Sequence, residues 1–160
     1  MTGYRTVRFR LNGTDTAVHV DPRRTVADML RIDLRLTGTT VGCEQGVCGT
    51  CTVIVDGEPA RACLMFAAQL EGAQVRTVEG LARDGKLSAL QQAFIDEDAV
   101  QCGYCTPGFL MLATAALESD PFMEDEALDA VLADNLCRCT GYGPIRRALR
   151  KAAKTNRRST

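Results

Sequence analysis

Eight cysteines, split into two sets of four, constrain this chain more than any other feature of its sequence. The first set is Cys43, Cys48, Cys51 and Cys63, spaced C-x4-C-x2-C-x11-C. The second is Cys102, Cys105, Cys137 and Cys139, spaced C-x2-C-x31-C-x-C. Whether they pair as disulfides or bind metal depends on the compartment. Met1 to Arg10 alternates charged and apolar residues and holds no apolar stretch of a secretion signal. The longest apolar run, Phe109 to Leu117, is far too short to cross a bilayer. The expectation is a cytoplasmic chain with no membrane span. In a reducing compartment eight cysteines point to metal rather than disulfides.

The 160 residues suffice for one ordinary domain or two small ones, and a hydrophobic content of 46% supports a real core and argues against disorder. A net charge of −1 offers no electrostatic attraction to nucleic acid. Basic residues do crowd from Arg146 to Arg158. They predict a last helix whose cations complement its C-terminal dipole, then a solvated tail; the alternative is a basic patch for a partner or nucleic acid.

The two halves pattern differently. Thr6–Arg10 and Thr16–Val20 flank Asn12-Gly13, a hairpin signal, and Val7 and Phe9 alternate with Arg8 and Arg10 as in a half-buried strand. Thr25 to Asp33 predicts a short helix capped by Thr25, with Asp28 in a capping-box position and Val26, Met29 and Leu30 inward. Thr52–Val55 is a strand leading into the turn Asp56-Gly57, and Gln74–Val78 is another. After Gly80 the period becomes helical. Ser88–Asp98 buries Leu90, Ala93 and Phe94; Thr106-Pro107 caps and opens Gly108–Glu118; Glu124–Asp134 turns Ala127, Leu128, Val131 and Leu132 inward; Pro144 starts a fourth helix on Ile145, Ala148 and Leu149. The expected fold class is α+β, a small domain at residues 1–79, a connector at 80–86 and a helical domain at 87–160, with four cysteines in each domain.

The first three cysteines of the first set have the spacing of plant-type ferredoxins. A short loop wrapping a compact anionic cluster must stabilise it with backbone N–H groups rather than side chains. Such a wrap needs dihedrals and close approaches that glycine permits, and Gly42, Gly46 and Gly49 stand among the ligands. Cys63 closes the cage from beyond the hairpin. Zinc fits this spacing poorly, since its sites favour two separated pairs; disulfides are the remaining alternative.

The second set is less specific. Zinc remains open, and a thioredoxin-like C-x2-C would belong near a βαβ pattern that this helical region lacks. Cys102 and Cys105 precede one helix start and Cys137 and Cys139 another, where free amides favour an anionic ligand. Two such junctions meeting would form a site inside a helical bundle.

Three segments carry a family resemblance. They are Gly42-Cys43-Glu44-Gln45-Gly46-Val47-Cys48-Gly49-Thr50-Cys51, Gln101-Cys102-Gly103-Tyr104-Cys105-Thr106-Pro107-Gly108 and Asn135-Leu136-Cys137-Arg138-Cys139-Thr140-Gly141-Tyr142. In this order they resemble the iron–sulfur subunit of the xanthine oxidase family of molybdenum hydroxylases. The nearest type is the separate small subunit of three-subunit bacterial enzymes, such as aerobic carbon monoxide dehydrogenase and N-heterocycle or nicotine-type dehydrogenases.

The resemblance implies an N-terminal plant-ferredoxin-like β-grasp domain followed by an all-α four-helix-bundle domain. It implies two [2Fe–2S] clusters, a distal one on Cys43, Cys48, Cys51 and Cys63 and a proximal one on Cys102, Cys105, Cys137 and Cys139. Electrons would run from a molybdopterin centre in a large subunit, through the proximal and then the distal cluster, to FAD on a medium subunit, in what is expected to be a dimer of heterotrimers. Gln101 matches the family's pterin-bonding glutamine, and Cys139 a ligand whose surroundings also touch the pterin. Tyr104 stands where the family often has phenylalanine, so its hydroxyl needs a partner if buried.

Other residues carry no chemistry. His19, the sole histidine, reads as a packed or solvated strand residue. Asp96, Glu97 and Asp98 read as a solvated helix face. No nucleophile–base pair, phosphate loop or dinucleotide fingerprint is present. The chain is an enzyme component with no catalytic centre of its own. A stand-alone ferredoxin-like carrier and a zinc-stabilised interaction module are the alternatives; the first predicts a polar-surfaced monomer, the second a colourless, chelator-sensitive protein. The partner-facing side is expected near Gln101, Tyr104 and Tyr142. The substrate, whether carbon monoxide, an aldehyde, a purine or an N-heterocycle, is chosen elsewhere in the complex.

Overall fold

The computed structural model describes residues 3–157. Strands β1 (Arg5–Leu11) and β2 (Thr14–Val20) are joined by Asn12 and Gly13, whose φ angles of 49° and 87° make the two-residue turn that matches strand twist. Val7 and Phe9 point into the core as their alternation requires. The predicted helix after Thr25 is only partly regular. A single α turn, α1 (Val26–Asp28), widens into a π-helical turn at Met29–Asp33. Thr25 does cap it, its hydroxyl accepting the Asp28 N–H at 3.0 Å. The widening lets Leu34 N–H reach back to the Met29 carbonyl at 3.0 Å while Met29 and Leu30 stay fully buried.

Strands β3 (Thr52–Val55), β4 (Glu58–Arg61) and β5 (Gln74–Arg76) complete a five-stranded mixed sheet in the order β2-β1-β5-β3-β4. β5 is parallel to β1 and antiparallel to β3, and is shorter than its sequence predicted. Pro59 is tolerated because β4 is an edge strand. One sheet face packs Val7, Phe9, Leu11, Val53 and Val75 against Val26, Met29 and Leu30.

The second half holds α2 (Ala89–Asp96), α3 (Thr106–Ser119), α4 (Asp125–Ala133) and α5 (Gly143–Arg157). They share a core of Leu90, Phe94, Phe109, Leu128, Leu132, Ile145 and Leu149. Each such side chain contributes roughly 1.5–3 kcal/mol of burial. Ala127 is exposed rather than inward, because α4 buries only the stripe of Leu128, Val131 and Leu132. Among the described residues no helix is long and apolar enough to cross a membrane.

The cations of α5 are not left to its dipole. Arg146 pairs with Asp129 and Arg150 with Asp125, both on α4; Arg147 pairs with Glu97, and Lys151 with Asp96 on α2 and with Glu97. Asp96 and Glu97 are therefore ion-pair partners and not a free solvated face. Arg158 and the tail after it lie outside the described residues. His19 is exposed and stacks on Tyr4.

The halves share packing. Ile54, on the far face of the sheet, buries itself against Met111 and Ala115 of α3, with Val78 and Leu81 alongside. Arg76 pairs with Glu118 across the same seam. The sheet thus uses α3 as the cover of its second face, which fixes the two cysteine regions relative to each other.

Candidate metal centres

The first cysteine set lies on an irregular loop between the π turn and β3, and on the segment just after β4. Gly46 and Gly49 adopt φ of +73° and +76°, left-handed values that wind the loop. Gly42 serves through space: a Cβ there would stand 3.2 Å from Cys48 Sγ. The winding aims the Gln45 and Cys48 N–H groups at Cys43 Sγ, each at 3.4 Å. Those donors pull the Cys43 thiol down to about 7. Side chains take part as well, contrary to expectation: Thr50 Oγ1 lies 3.3 Å from Cys48 Sγ. The β3–β4 register sets Thr52 opposite Arg61, and the Ala62 N–H donates to the Cys51 carbonyl at 3.3 Å, which brings Cys63 beside Cys51. Both are buried, and the Cys63 thiol is near enough to push the Cys51 thiol further up. Burial pushes Cys51 up to about 11.

In the second set Cys105 occupies the cap position of α3, one residue earlier than the predicted Thr106 cap. Cys139 Sγ meets Cys102 Sγ at 3.5 Å, and the Cys137 thiol is near enough to raise that of Cys105. The Thr140 N–H and hydroxyl stand 3.4 and 3.1 Å from Cys137 Sγ. Tyr142 turns inward: its hydroxyl accepts the Cys137 N–H at 2.9 Å and its ring meets Phe109 edge-on at 6.3 Å. The Tyr104 N–H lowers the Cys102 thiol, while the bond to Cys102 raises Cys139. Burial pushes Cys105 up to about 12. Burial also pushes Cys137 up, but the Thr140 groups and the Cys139 N–H outweigh it and leave that thiol lowered.

The thiols therefore meet two by two. Cys43 with Cys48, and Cys102 with Cys139, form the more accessible pair of each set; Cys51 with Cys63, and Cys105 with Cys137, form the deeper pair. Among the described residues no three His, Cys, Asp or Glu side chains gather around a point for a single ion. Two thiols at each end of a site, N–H and O–H donors aimed at sulfur, and glycine where a Cβ would press on a ligand sulfur fit a two-iron cluster with two cysteines per iron.

Between the two sites runs Asp134-Asn135-Leu136. The Leu136 N–H donates to the Cys48 carbonyl at 2.9 Å, so a ligand of the first set is one hydrogen bond from the neighbour of Cys137. Asn135, fully buried, donates from Nδ2 to the Cys105 carbonyl at 3.1 Å, and its Oδ1 has no partner. The Tyr104 hydroxyl donates to the Val41 carbonyl at 2.6 Å, and Thr40 Oγ1 donates to the Tyr104 carbonyl at 2.8 Å. Sequence reasoning missed Thr50, Thr140, Asn135 and Arg61 as parts of the sites. Thr50, Thr140 and Asn135 lie inside the quoted motifs, where a hydroxyl or amide beside a ligand was the available signal. Gln101, beside Cys102 in the chain, is exposed, as are Cys102 and Cys139; Tyr104 is 51% exposed.

Known proteins resemble this chain in sequence and fold. Residues 9–82 match the family described as 2Fe-2S iron-sulfur cluster binding domain, and residues 77–150 the family described as [2Fe-2S] binding domain. The chain is 51% identical over 152 residues to the caffeine dehydrogenase subunit gamma of Pseudomonas sp. (strain CBB1), covering 93% of this chain and 91% of that one. It is 52% identical over 139 residues to the nicotine 6-hydroxylase small subunit of Paenarthrobacter nicotinovorans, covering 87% and 84%. Among solved structures, quinoline 2-oxidoreductase from Pseudomonas putida 86 superposes with a TM-score of 0.92 at 44% identity, over 97% of both chains.

Proposed function

This chain belongs to the iron–sulfur subunits of the xanthine oxidase family of molybdenum hydroxylases, and on that premise we propose that Cys43, Cys48, Cys51 and Cys63 hold one [2Fe–2S] cluster and Cys102, Cys105, Cys137 and Cys139 the other. It is the electron-transfer subunit of an oxidoreductase complex, carrying electrons from a molybdopterin centre in a large subunit to FAD in a medium subunit. When bound, each cluster takes up and gives back one electron. The single observation that carries the ligand assignment is the gathering of thiols within each set, with Cys139 Sγ 3.5 Å from Cys102 Sγ and with N–H groups aimed at Cys43 and Cys137 Sγ.

The chain's own work is to hold and connect. Backbone N–H groups of Gln45, Cys48 and Thr140 lower the cost of negative charge on sulfur. The Leu136 N–H to Cys48 carbonyl bond gives a short, largely covalent route between the sets. The exposed Cys102, Cys139 and Gln101 side is the face we assign to the pterin-bearing large subunit, with Gln101 and Cys139 nearest the pterin. The mixed sheet clasping α1 supports a plant-ferredoxin-like β-grasp domain at 1–79, and the packing of α2 to α5 supports a four-helix bundle at 87–160, joined by 80–86. Relatives named as gamma and small subunits support assembly with a large and a medium partner. We assign the complex to the cytoplasm as a dimer of heterotrimers.

The test is anaerobic purification of the chain, with iron and sulfide assays and an EPR spectrum of the reduced protein. Four irons, four sulfides and two signals are expected. Zinc in place of iron, with no colour after reconstitution, would sink the assignment.

A further inference from the structure

Arg61 is a cation built into the wall of the first cysteine site. It ends β4, two residues before Cys63, with its side chain only 18% exposed. All three guanidinium nitrogens are engaged. Nε donates to the Gly46 carbonyl at 3.4 Å, Nη1 to Thr52 Oγ1 at 2.5 Å, and Nη2 to the Asp134 carbonyl at 2.9 Å and to the Asp134 carboxylate at 2.7 Å. Gly46 lies between Cys43 and Cys48, and Thr52 follows Cys51. One positive charge therefore holds the loop that carries Cys43, Cys48 and Cys51, and stands two residues before Cys63.

Its counter-charge is the more exposed of the two. The Asp134 side chain is 58% exposed, so water and salt screen it more than they screen the guanidinium. The pair thus leaves a net positive field on the loop side. Reduction of a cluster held there adds one electron and no proton, so one unit of negative charge appears beside Arg61. A fixed neighbouring cation stabilises that reduced form.

We propose that Arg61 raises the reduction potential of the cluster on Cys43, Cys48, Cys51 and Cys63, and that Asp134 offsets part of the rise. The proposal rests on that set holding a [2Fe–2S] cluster. It makes the arginine a tuning and positioning residue, since the same guanidinium pins Asp134, two residues before the Leu136 N–H that bonds Cys48.

Opposite signs separate this role from a structural clamp. The full-length chain is loaded with clusters, and each midpoint is read by EPR-monitored potentiometry with dithionite as reductant. Iron content and two signals in the wild-type chain establish the clusters independently of the proposal. Arg61→Gln is expected to move the first-site midpoint to a more negative potential and leave the second largely in place. Asp134→Asn is expected to move the first-site midpoint the other way. Arg61→Lys, which keeps the charge, should stay close to wild type. Should Arg61→Gln not retain iron, the upward shift in Asp134→Asn decides alone. An unchanged midpoint in Arg61→Gln, or shifts of the same sign in Arg61→Gln and Asp134→Asn, would overturn the proposal.

Discussion

The Gly49 carbonyl oxygen stands 2.6 Å from the point that a Cβ on Gly108 would occupy, so the two halves of the chain meet backbone to backbone between the cysteine sets. The same would-be Cβ comes within 2.9 Å of Thr50 Cα, and one on Gly49 would press on the Asp134 carbonyl at 2.6 Å. Gly108→Ala should therefore destabilise the protein by about 1–3 kcal/mol, the usual cost of overpacking. Gly49→Ala should cost more, because its φ of +76° adds backbone strain. Thermal unfolding of both variants checks the order; equal and negligible shifts would contradict the close approach.

Removing one thiol should empty one site and spare the other. Cys63→Ala takes a ligand from the deep pair of the first set without touching the second, 39 residues or more further on by sequence (Cys63 to Cys102). The variant is expected to lose half its iron and one EPR signal. Retention of both signals would mean that Cys63 is not a ligand.

Cluster loading should depend on pH in a predictable direction. Iron binds the thiolate and displaces the thiol proton. Cys43, lowered to about 7 by the Cys48 and Gln45 N–H groups, is anionic above that pH and protonated below it. Reconstitution of the first site should accelerate as pH rises through about 7. Cys51 and Cys105, at about 11 and 12, stay protonated across that range and lose their protons only as iron arrives. Stopped-flow absorbance of cluster formation at a series of pH values checks the rise; a rate falling with pH would contradict it.

Two side chains that bridge the halves should differ in weight. Asn135 is fully buried and its amide satisfies the Cys105 carbonyl, so Asn135→Ala should cost about 1–3 kcal/mol through an unpaired buried acceptor and a void. Tyr104→Phe removes a hydroxyl from a half-exposed site where water can replace it, and should cost about 0.5–1 kcal/mol. Denaturant melts of the two variants, compared at equal m-value, measure the difference.

How much was legible in the sequence follows from the range of the interactions. The hairpin at Asn12-Gly13, the turn at Asp56-Gly57 and the stripes Leu90–Phe94 and Ile145–Leu149 are local patterns, and each formed as its spacing required. The π turn after Asp28 was not legible, because its widening serves the burial of both Met29 and Leu30 under the sheet. The ligand loops could be read from cysteine spacing, glycine and three long motifs. Arg61 could not: its partners Gly46, Thr52 and Asp134 are distant in sequence, and an arginine two residues before a cysteine carries no signal of its own. The α5 cations likewise meant little until α2 and α4 supplied their carboxylates.

The covering of β3 by α3 and the seating of Asn135 against Gly49 set an order of events during synthesis. Every strand and every ligand of the first set precedes Cys102 in the chain, so that half leaves the ribosome complete while the second set is still being translated. Val41, Cys48 and Gly49 then present the carbonyls and the backbone surface on which Tyr104, Leu136 and Asn135 must land. The surface that receives the C-terminal site is thus synthesised before the residues that land on it, and a truncated nascent chain ending before Cys102 already contains the whole of the first binding loop.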